Sequence, residues 1–190
     1  MKKAALLLVL AHGFPIAVVA QEEVAHRVFA TTKTSTMQKE MQEAGDAGFR
    51  FASVMGGETA IGGKEVVVVM QKPAGSTSKF EYRLLATNKT STMQKEMQAG
   101  ADAGFQYVGQ TVFESAFGGK EVVCILESDP SATNLPRYEY RLLATNKTST
   151  MEKELKEAGD AGFVAIGMTV AKTLVGGKEL VTITRRKLAQ

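Results

Sequence analysis

The sequence predicts an α+β fold that consists of three tandem strand–helix–strand–strand (βαββ) modules. The segment Ala144–Met151, which reads Ala-Thr-Asn-Lys-Thr-Ser-Thr-Met, also occurs at Ala86–Met93 and, with one substitution, at Ala30–Met37. Every copy is followed by Asp-Ala-Gly-Phe and, further on, by Gly-Gly-Lys-Glu. Within each copy the apolar residues follow a strand period, then a helix period, then a strand period again. The chain therefore consists of three tandem copies of one module.

The modules are expected at residues 21–72, 80–127 and 138–187. Each is expected to form one three-stranded sheet with one helix. The connectors between the modules hold proline and glycine among small polar residues, a composition typical of loops.

The third module serves as the template for the elements. Tyr138–Thr145 alternates and is rich in aromatic and branched residues, which predicts a strand. In the helix that follows, the apolar residues Met151, Leu155 and Ala158 share one face. Each helix is expected to begin with a capping box, in which a serine is followed three residues later by Gln or Glu. These pairs are Ser35 with Gln38, Ser91 with Gln94 and Ser149 with Glu152.

Two strands complete each module, and their composition bears on how the modules pack. The strand–helix–strand crossover sets the first two strands parallel, and the last strand is expected between them. The segments Val66–Met70 and Val122–Leu126 are apolar at every position, so both faces of these strands should be buried. A module of this size has a marginal core on its own. The modules should therefore pack together, sheet against sheet or around a pseudo-threefold centre.

Residues 1–20 are expected to be a signal peptide. Lys2 and Lys3 precede the apolar segment Ala4–Ala11, and Val18–Ala20 offers small residues for cleavage before Gln21. The mature chain should then be periplasmic or secreted and have no membrane span. The formal net charge of +3 falls close to neutral once these two lysines are removed, which argues against a nucleic-acid partner.

A Lys-Thr-Ser sequence at each helix start is the one candidate binding site. Backbone N–H groups and the helix dipole favour an anion there, and a lysine would add to that preference. Simple helix capping by Ser and Thr is the alternative. The candidate anion- or ligand-binding residues are Lys33, Thr34, Ser35, Lys89, Thr90, Ser91, Lys147, Thr148 and Ser149.

Catalytic, metal and cofactor sites are not expected. Cys124 is the only cysteine and lies within an apolar strand, whereas His26 has no counterpart in the other modules. The methionines fall on the helix faces that meet the sheets, where core packing is favoured over copper binding. An enzyme with an inter-module site, which would involve Asp160 and Lys147, is kept as an alternative.

A resemblance to a known family adds to this interpretation. Tyr138-Glu139-Tyr140-Arg141 opens a strand, a short helix ends in Ala161-Gly162-Phe163, and two strands follow. This pattern resembles the domain-of-unknown-function 4177 family of small bacterial βαββ modules, and the resemblance covers each repeat. It implies the same fold and brings no activity or catalytic residue.

The function expected from these observations is that of an exported, non-enzymatic binding or scaffold module of the bacterial cell envelope. Its partner would be an unknown envelope protein or a small anionic ligand. A dedicated small-ligand or anion binder that uses the Lys-Thr-Ser helix starts is the alternative of a different class.

Overall fold

A computed structural model describes residues 23–59, 63–87, 89–114, 120–172 and 178–189. The expected signal peptide and its cleavage site lie outside the described residues. No helix among the described residues is long and apolar enough to span a membrane.

Each module contains one helix and three strands in the predicted order, which confirms the α+β fold and the βαββ repeat. Module 1 comprises β1 (Val24–Thr31), α1 (Thr34–Asp46), β2 (Arg50–Thr59) and β3 (Gly63–Pro73). Module 2 comprises β4 (Glu81–Thr87), α2 (Thr90–Asp102), β5 (Gln106–Glu114) and β6 (Lys120–Ser128). Module 3 comprises β7 (Tyr138–Thr145), α3 (Thr148–Asp160), β8 (Val164–Lys172) and β9 (Lys178–Lys187).

The last strand of each module lies in the middle of its sheet. The strand orders are β1-β3-β2, β4-β6-β5 and β7-β9-β8, and every pairing is antiparallel. The first two strands of a module are therefore parallel to each other, as predicted. Each second strand has a register shift soon after its start, at Phe51/Ser53, Tyr107/Gly109 and Ala165/Gly167. Such a bulge takes a backbone N–H out of the sheet ladder.

The helices begin without the predicted capping boxes. Lys33, Lys89 and Lys147 are the N-cap residues, and no side chain caps a helix. The turn before α1 is held instead by Thr31, whose Oγ1 accepts a hydrogen bond from the Lys33 N–H at 3.2 Å. The capping prediction was wrong because each helix begins at the threonine before the serine, which places Ser35, Ser91 and Ser149 inside the first turn rather than at the N-cap. The helix ends agree with the prediction, since the glycine after each helix has a left-handed φ: Gly48 at 87°, Gly104 at 89° and Gly162 at 81°.

Methionines from the helices form the centre of the core. Met37 and Met41 are fully buried and pack with Val68 in module 1, and Met93 and Met97 occupy the same positions in module 2. This confirms that these thioethers fill the space between helix and sheet. Among the described residues there is no cluster of His, Cys, Asp and Glu that could hold a metal ion.

The modules pack sheet against sheet in chain order, which is one of the two arrangements left open by the sequence. Val123 and Ile125 of β6 bury one face of their strand against the core of module 1. Cys124 and Leu126 point the other way, into the core beneath α2, where Ile183 of module 3 also packs. Residues 122–126 are all buried, as predicted.

The equivalent strand of module 1 is buried on one face only. Val66, Val68 and Met70 face α1 and are buried, whereas Val67 and Val69 are half-exposed because no other module within the described residues packs on their face. Module 1 therefore keeps one apolar sheet face open.

Candidate binding surfaces at the junctions and ends of the module row

The predicted Lys-Thr-Ser sites lie at three separate helix starts. Lys33, Lys89 and Lys147 are all exposed. At the first of these starts, Thr34 Oγ1 donates a hydrogen bond to Glu121 Oε2 at 3.1 Å, so a carboxylate of module 2 lies beside this helix start.

A small cavity lies beside the second of these helix starts. Its volume of about 20 Å³ has room for one water molecule. It is lined by Thr87, Lys89, Thr90, Met93, Val122, Leu142, Thr169 and Val181. The anion-binding role of the three sites stays a prediction.

The amide of Gln38 joins α1 to the edge of the next module's sheet. Its Nε2 donates to the carbonyl of Tyr82 at 2.8 Å, and its Oε1 accepts from the N–H of Leu84 at 2.7 Å. A primary amide suits this place because it donates and accepts at once, as a neighbouring strand would. Gln38 therefore satisfies two outward-facing backbone groups of β4.

Gln42, one helical turn later, binds the same edge. Its Oε1 accepts from the N–H of Tyr82 at 3.0 Å, and its Nε2 faces the carbonyl of Phe80 at 3.5 Å. The same Nε2 donates to Asp46 Oδ1 at 2.9 Å, so the carboxylate orients the amide. The repeated aspartate thus positions a junction residue.

The junction between modules 2 and 3 repeats this arrangement. Gln94 Nε2 donates to the carbonyl of Tyr140 at 2.6 Å, and its Oε1 accepts from the N–H of Leu142 at 2.7 Å. Gln98 accepts from the N–H of Tyr140 at 3.0 Å and donates to Asp102 at 3.0 Å. The glutamine pair is therefore the polar part of both junctions.

The last helix departs from this pattern. Glu152 stands at the position of Gln38 and Gln94, and Lys156 at that of Gln42 and Gln98. Both side chains are exposed, and Lys156 forms an ion pair with Asp160 at 2.9 Å. Glutamines are present in the two helices that have a following module and absent from the third.

A buried tyrosine completes the first junction. Tyr82 Oη accepts from the N–H of Phe51, at the bulge of β2, at 2.7 Å and donates to Glu127 Oε2 at 2.8 Å. Glu127 is almost fully buried and also accepts from Arg50 Nε at 2.7 Å. Burial, followed by the negative charge of Glu127, raises the pKa of Tyr82 well above its usual value. The phenol therefore stays protonated and acts as a hydrogen-bonding group.

The second junction has the same tyrosine contact without the carboxylate. Tyr140 Oη accepts from the N–H of Tyr107, at the bulge of β5, at 3.0 Å. Arg185 replaces Glu127 opposite this tyrosine and stacks on Tyr138 at 4.3 Å. In module 1 the residue that corresponds to Tyr82 and Tyr140 is His26, which is exposed at the free end of the row.

Large apolar side chains are exposed only in the first and last modules, as far as the structure describes the chain. In module 1 they are Val24, Val28 and Met55, of which the last two are both 65% exposed. These positions correspond to Phe80, Leu84 and Thr111 of module 2. Phe80 and Thr111 are buried, and Leu84 packs against the core of module 1. We call this exposed side of sheet β1-β3-β2 the head surface.

The exposed apolar residues of module 3 lie at the opposite end. They are Val164, Met168, which is 64% exposed, and Val170. The corresponding positions of module 1 are Arg50, Val54 and Gly56, and all three face the junction with module 2. We call this exposed side of module 3 the tail surface.

Gly45 of α1 and its counterpart Gly159 of α3 also differ in whether another chain segment lies beside them. A Cβ on Gly45 would lie 2.3 Å from the carbonyl oxygen of Phe80, because the connector to module 2 passes close to α1. A Cβ on Gly159, at the same position of α3, would meet nothing within 4 Å. The tail surface is open at the place where a following chain segment would lie.

Cys124 is fully buried, and burial raises the pKa of its thiol to about 12. At pH 8 about one thiol in ten thousand is then a thiolate, the reactive form. We expect iodoacetamide to label Cys124 only through unfolding, at a rate that rises with added urea in parallel with the unfolded fraction. Labelling of the native protein as fast as of the denatured protein would contradict this, and Cys124→Ser measures the background.

Searches against protein-family models, curated proteins and solved structures gave no match. The resemblance to the domain-of-unknown-function 4177 family therefore stays a prediction.

Sequence reasoning missed the glutamine pair as a functional feature. Serine followed by glutamine three residues later fits a capping box, and that local role is enough to account for the pattern. The signal that could have separated the two roles is the replacement of both glutamines in the third module alone. Glu152 still fits a capping box, but Gln42 and Gln98 lie outside that box, and their replacement by Lys156 indicates a role that the third module lacks.

Proposed function

We propose that this protein is a non-enzymatic binding or scaffold protein of the bacterial cell envelope that works through its head and tail surfaces. One observation carries the proposal. Large exposed apolar side chains are confined, within the described residues, to the two ends of the row, at positions whose counterparts contact the neighbouring module at an inner junction. Exposed apolar area gathered in this way is characteristic of an interaction site.

The chemistry of the described residues supports binding over catalysis. Cys124 is a core thiol with a raised pKa. Burial also raises the pKa of Tyr82 and of Tyr107. The Tyr82 hydroxyl holds two modules together, so its perturbed pKa has a structural cause. An inter-module enzyme would need a proton donor or nucleophile that is free to meet a substrate.

The test is photocrosslinking in the cell envelope in which the protein is expressed. A photoreactive residue is placed at Val28 on the head surface, at Met168 on the tail surface, or at the exposed control position Lys39 on the outside of α1. We expect defined adducts from the two surface positions and none from the control. Equal adduct patterns at all three positions, or none at any, would refute the proposal.

A double substitution on the head surface tests the energetics. Val28→Asp with Met55→Asp should remove the adduct formed at other head positions, because burial of each apolar side chain contributes about 1.5–3 kcal/mol. The expected loss is therefore more than tenfold in yield at limiting partner. Lys39→Asp, which changes charge away from the surface, is the matched control and should leave the yield unchanged.

A further inference from the structure

We infer that the occupant of each surface is a second copy of this chain, so that the tail surface of one copy binds the head surface of the next. The inference rests on the proposed function, since it names the partner of the same two surfaces. The inner junctions supply the argument: each joins the helix side of one module to the outer sheet face of the following one. Within the residues that the structure describes, one chain carries one free surface of each kind.

The apolar parts of the two surfaces match position by position. Met168 stands where Val54 of module 1 packs in the cluster shared with module 2, and Val170 stands where Val112 packs in the cluster shared by modules 2 and 3. Val28 stands where Leu84 of module 2 packs against module 1. A second copy placed by the geometry of the inner junctions would therefore bury both sets against each other.

The free edge of β1 corresponds to the strand edge that the glutamines cover at the inner junctions. Residues 24, 26 and 28 correspond to Phe80, Tyr82 and Leu84, whose outward backbone groups are bound by Gln42 and Gln38. No hydrogen bond to the outward groups of the β1 edge comes from the described parts of the chain. Such an edge readily pairs with another chain. The helix that the junction geometry brings to it is α3 of a second copy.

Glu152 and Lys156 make this contact weaker than the inner junctions. A carboxylate only accepts and an ammonium only donates, whereas each glutamine amide does both. At the β1 edge, Glu152 can accept one N–H and Lys156 can donate to a carbonyl, which leaves part of the edge unpaired. His26 also replaces the tyrosine of the inner junctions. Association is therefore reversible and concentration-dependent, while the inner junctions stay formed.

Head-to-tail contacts of this kind do not form a closed dimer. Because the two surfaces differ, each added copy leaves one head and one tail free, which generates an open row. A face-to-face dimer through two head surfaces would be closed, and it would leave the tail surface without a role. The two arrangements therefore give different results when one surface is blocked.

Sedimentation of the purified mature chain over micromolar to millimolar concentration is the first measurement. We expect an average mass that increases with concentration beyond that of a dimer. A head-blocked variant (Val28→Asp with Met55→Asp) and a tail-blocked variant (Met168→Asp with Val170→Asp) should each stay monomeric. A mixture of the two should form one-to-one pairs and nothing larger, since one good head and one good tail remain.

The thermal unfolding midpoints of both blocked variants serve as the folding control, since all four substitutions are at exposed positions. A tail-blocked variant that still dimerises would overturn the inference in favour of a face-to-face dimer. A monomeric wild type at every concentration would also overturn it. If the envelope crosslinks at Val28 then contain a different protein, the proposed function stands without self-association.

The charged pair on α3 allows a gain-of-function test. Glu152→Gln with Lys156→Gln restores the amides of the inner junctions and should lower the dissociation constant of the head-to-tail contact about tenfold or more, because each restored hydrogen bond contributes about 1 kcal/mol. Lys153→Gln with Glu157→Gln is the matched control, since it makes the same two changes in another exposed pair of α3. Equal effects of the two double variants would contradict the role of Glu152 and Lys156.

Discussion

Val68→Asp is expected to abolish cooperative folding of the chain. Val68 is fully buried between β3 and α1, in the same cluster as Met37, Met41 and Ile125 of module 2. A carboxylate there would be unpaired and desolvated, and such changes cost about 4 kcal/mol or more. The stability of most domains is only about 5–15 kcal/mol. Loss of the native circular dichroism signal at 25 °C is the measurement.

The matched control is Val67→Asp, at the next residue of the same strand. Val67 points to the head surface and is half-exposed, so water can solvate the new carboxylate. We expect this variant to stay folded and to lose much less stability than Val68→Asp. Equal losses of stability in the two variants would contradict the assignment of one buried and one half-exposed face to β3.

The double variant Gln38→Ala, Gln42→Ala is expected to destabilise the junction between modules 1 and 2. It removes the side-chain partners of three outward backbone groups on β4, all bound at 3.0 Å or less, and of the Phe80 carbonyl just before the strand. With a net contribution of about 1 kcal/mol for each hydrogen bond, the expected loss is about 2–4 kcal/mol in the free energy of unfolding. Urea titration followed by circular dichroism measures it.

The repeat itself offers the control for this experiment. Glu152→Ala with Lys156→Ala truncates the equivalent positions of α3, where both side chains are exposed and contact no other module in the described part of the chain. Only the exposed ion pair of Lys156 with Asp160 is lost, and such pairs contribute little. A loss as large as that in α1 would mean that the glutamines act through helix propensity rather than through the junction.

Most of the fold could be predicted because it depends on local patterns. Met37 and Met41 at helical spacing, Gly48 after the helix and the alternating strand Tyr138–Thr145 each specify their element through neighbours a few residues away. The uniformly apolar run Val122–Leu126 was enough to predict burial on both faces and hence packing between modules. The candidate surfaces could not be predicted in the same way. Val28 and Met55 look like ordinary core positions in the sequence.

Thr182 and Thr184 are two further residues whose burial could not be predicted from the sequence. Both threonines carry a polar hydroxyl group, yet they are only 3% and 1% exposed. Thr184 Oγ1 donates to the carbonyl of Arg141 at 2.8 Å, and Thr182 Oγ1 faces the Met151 sulfur at 3.3 Å. A hydroxyl with a nearby acceptor can be buried at little cost, and that acceptor is known only once the chain has folded.

The sequence by itself determined the three modules, the order of their elements and the helix faces that form the core. It did so because turns, periodicity and helix ends are properties of residues close together in the chain. Only the tertiary structure decided that Gln38 and Gln42 bind the next module's strand edge, and that Val28 and Met168 remain at the two free ends. These outcomes depend on which modules become neighbours. How much a glutamine amide or a valine contributes to stability depends on the surface that it contacts. No local sequence pattern specifies that surface.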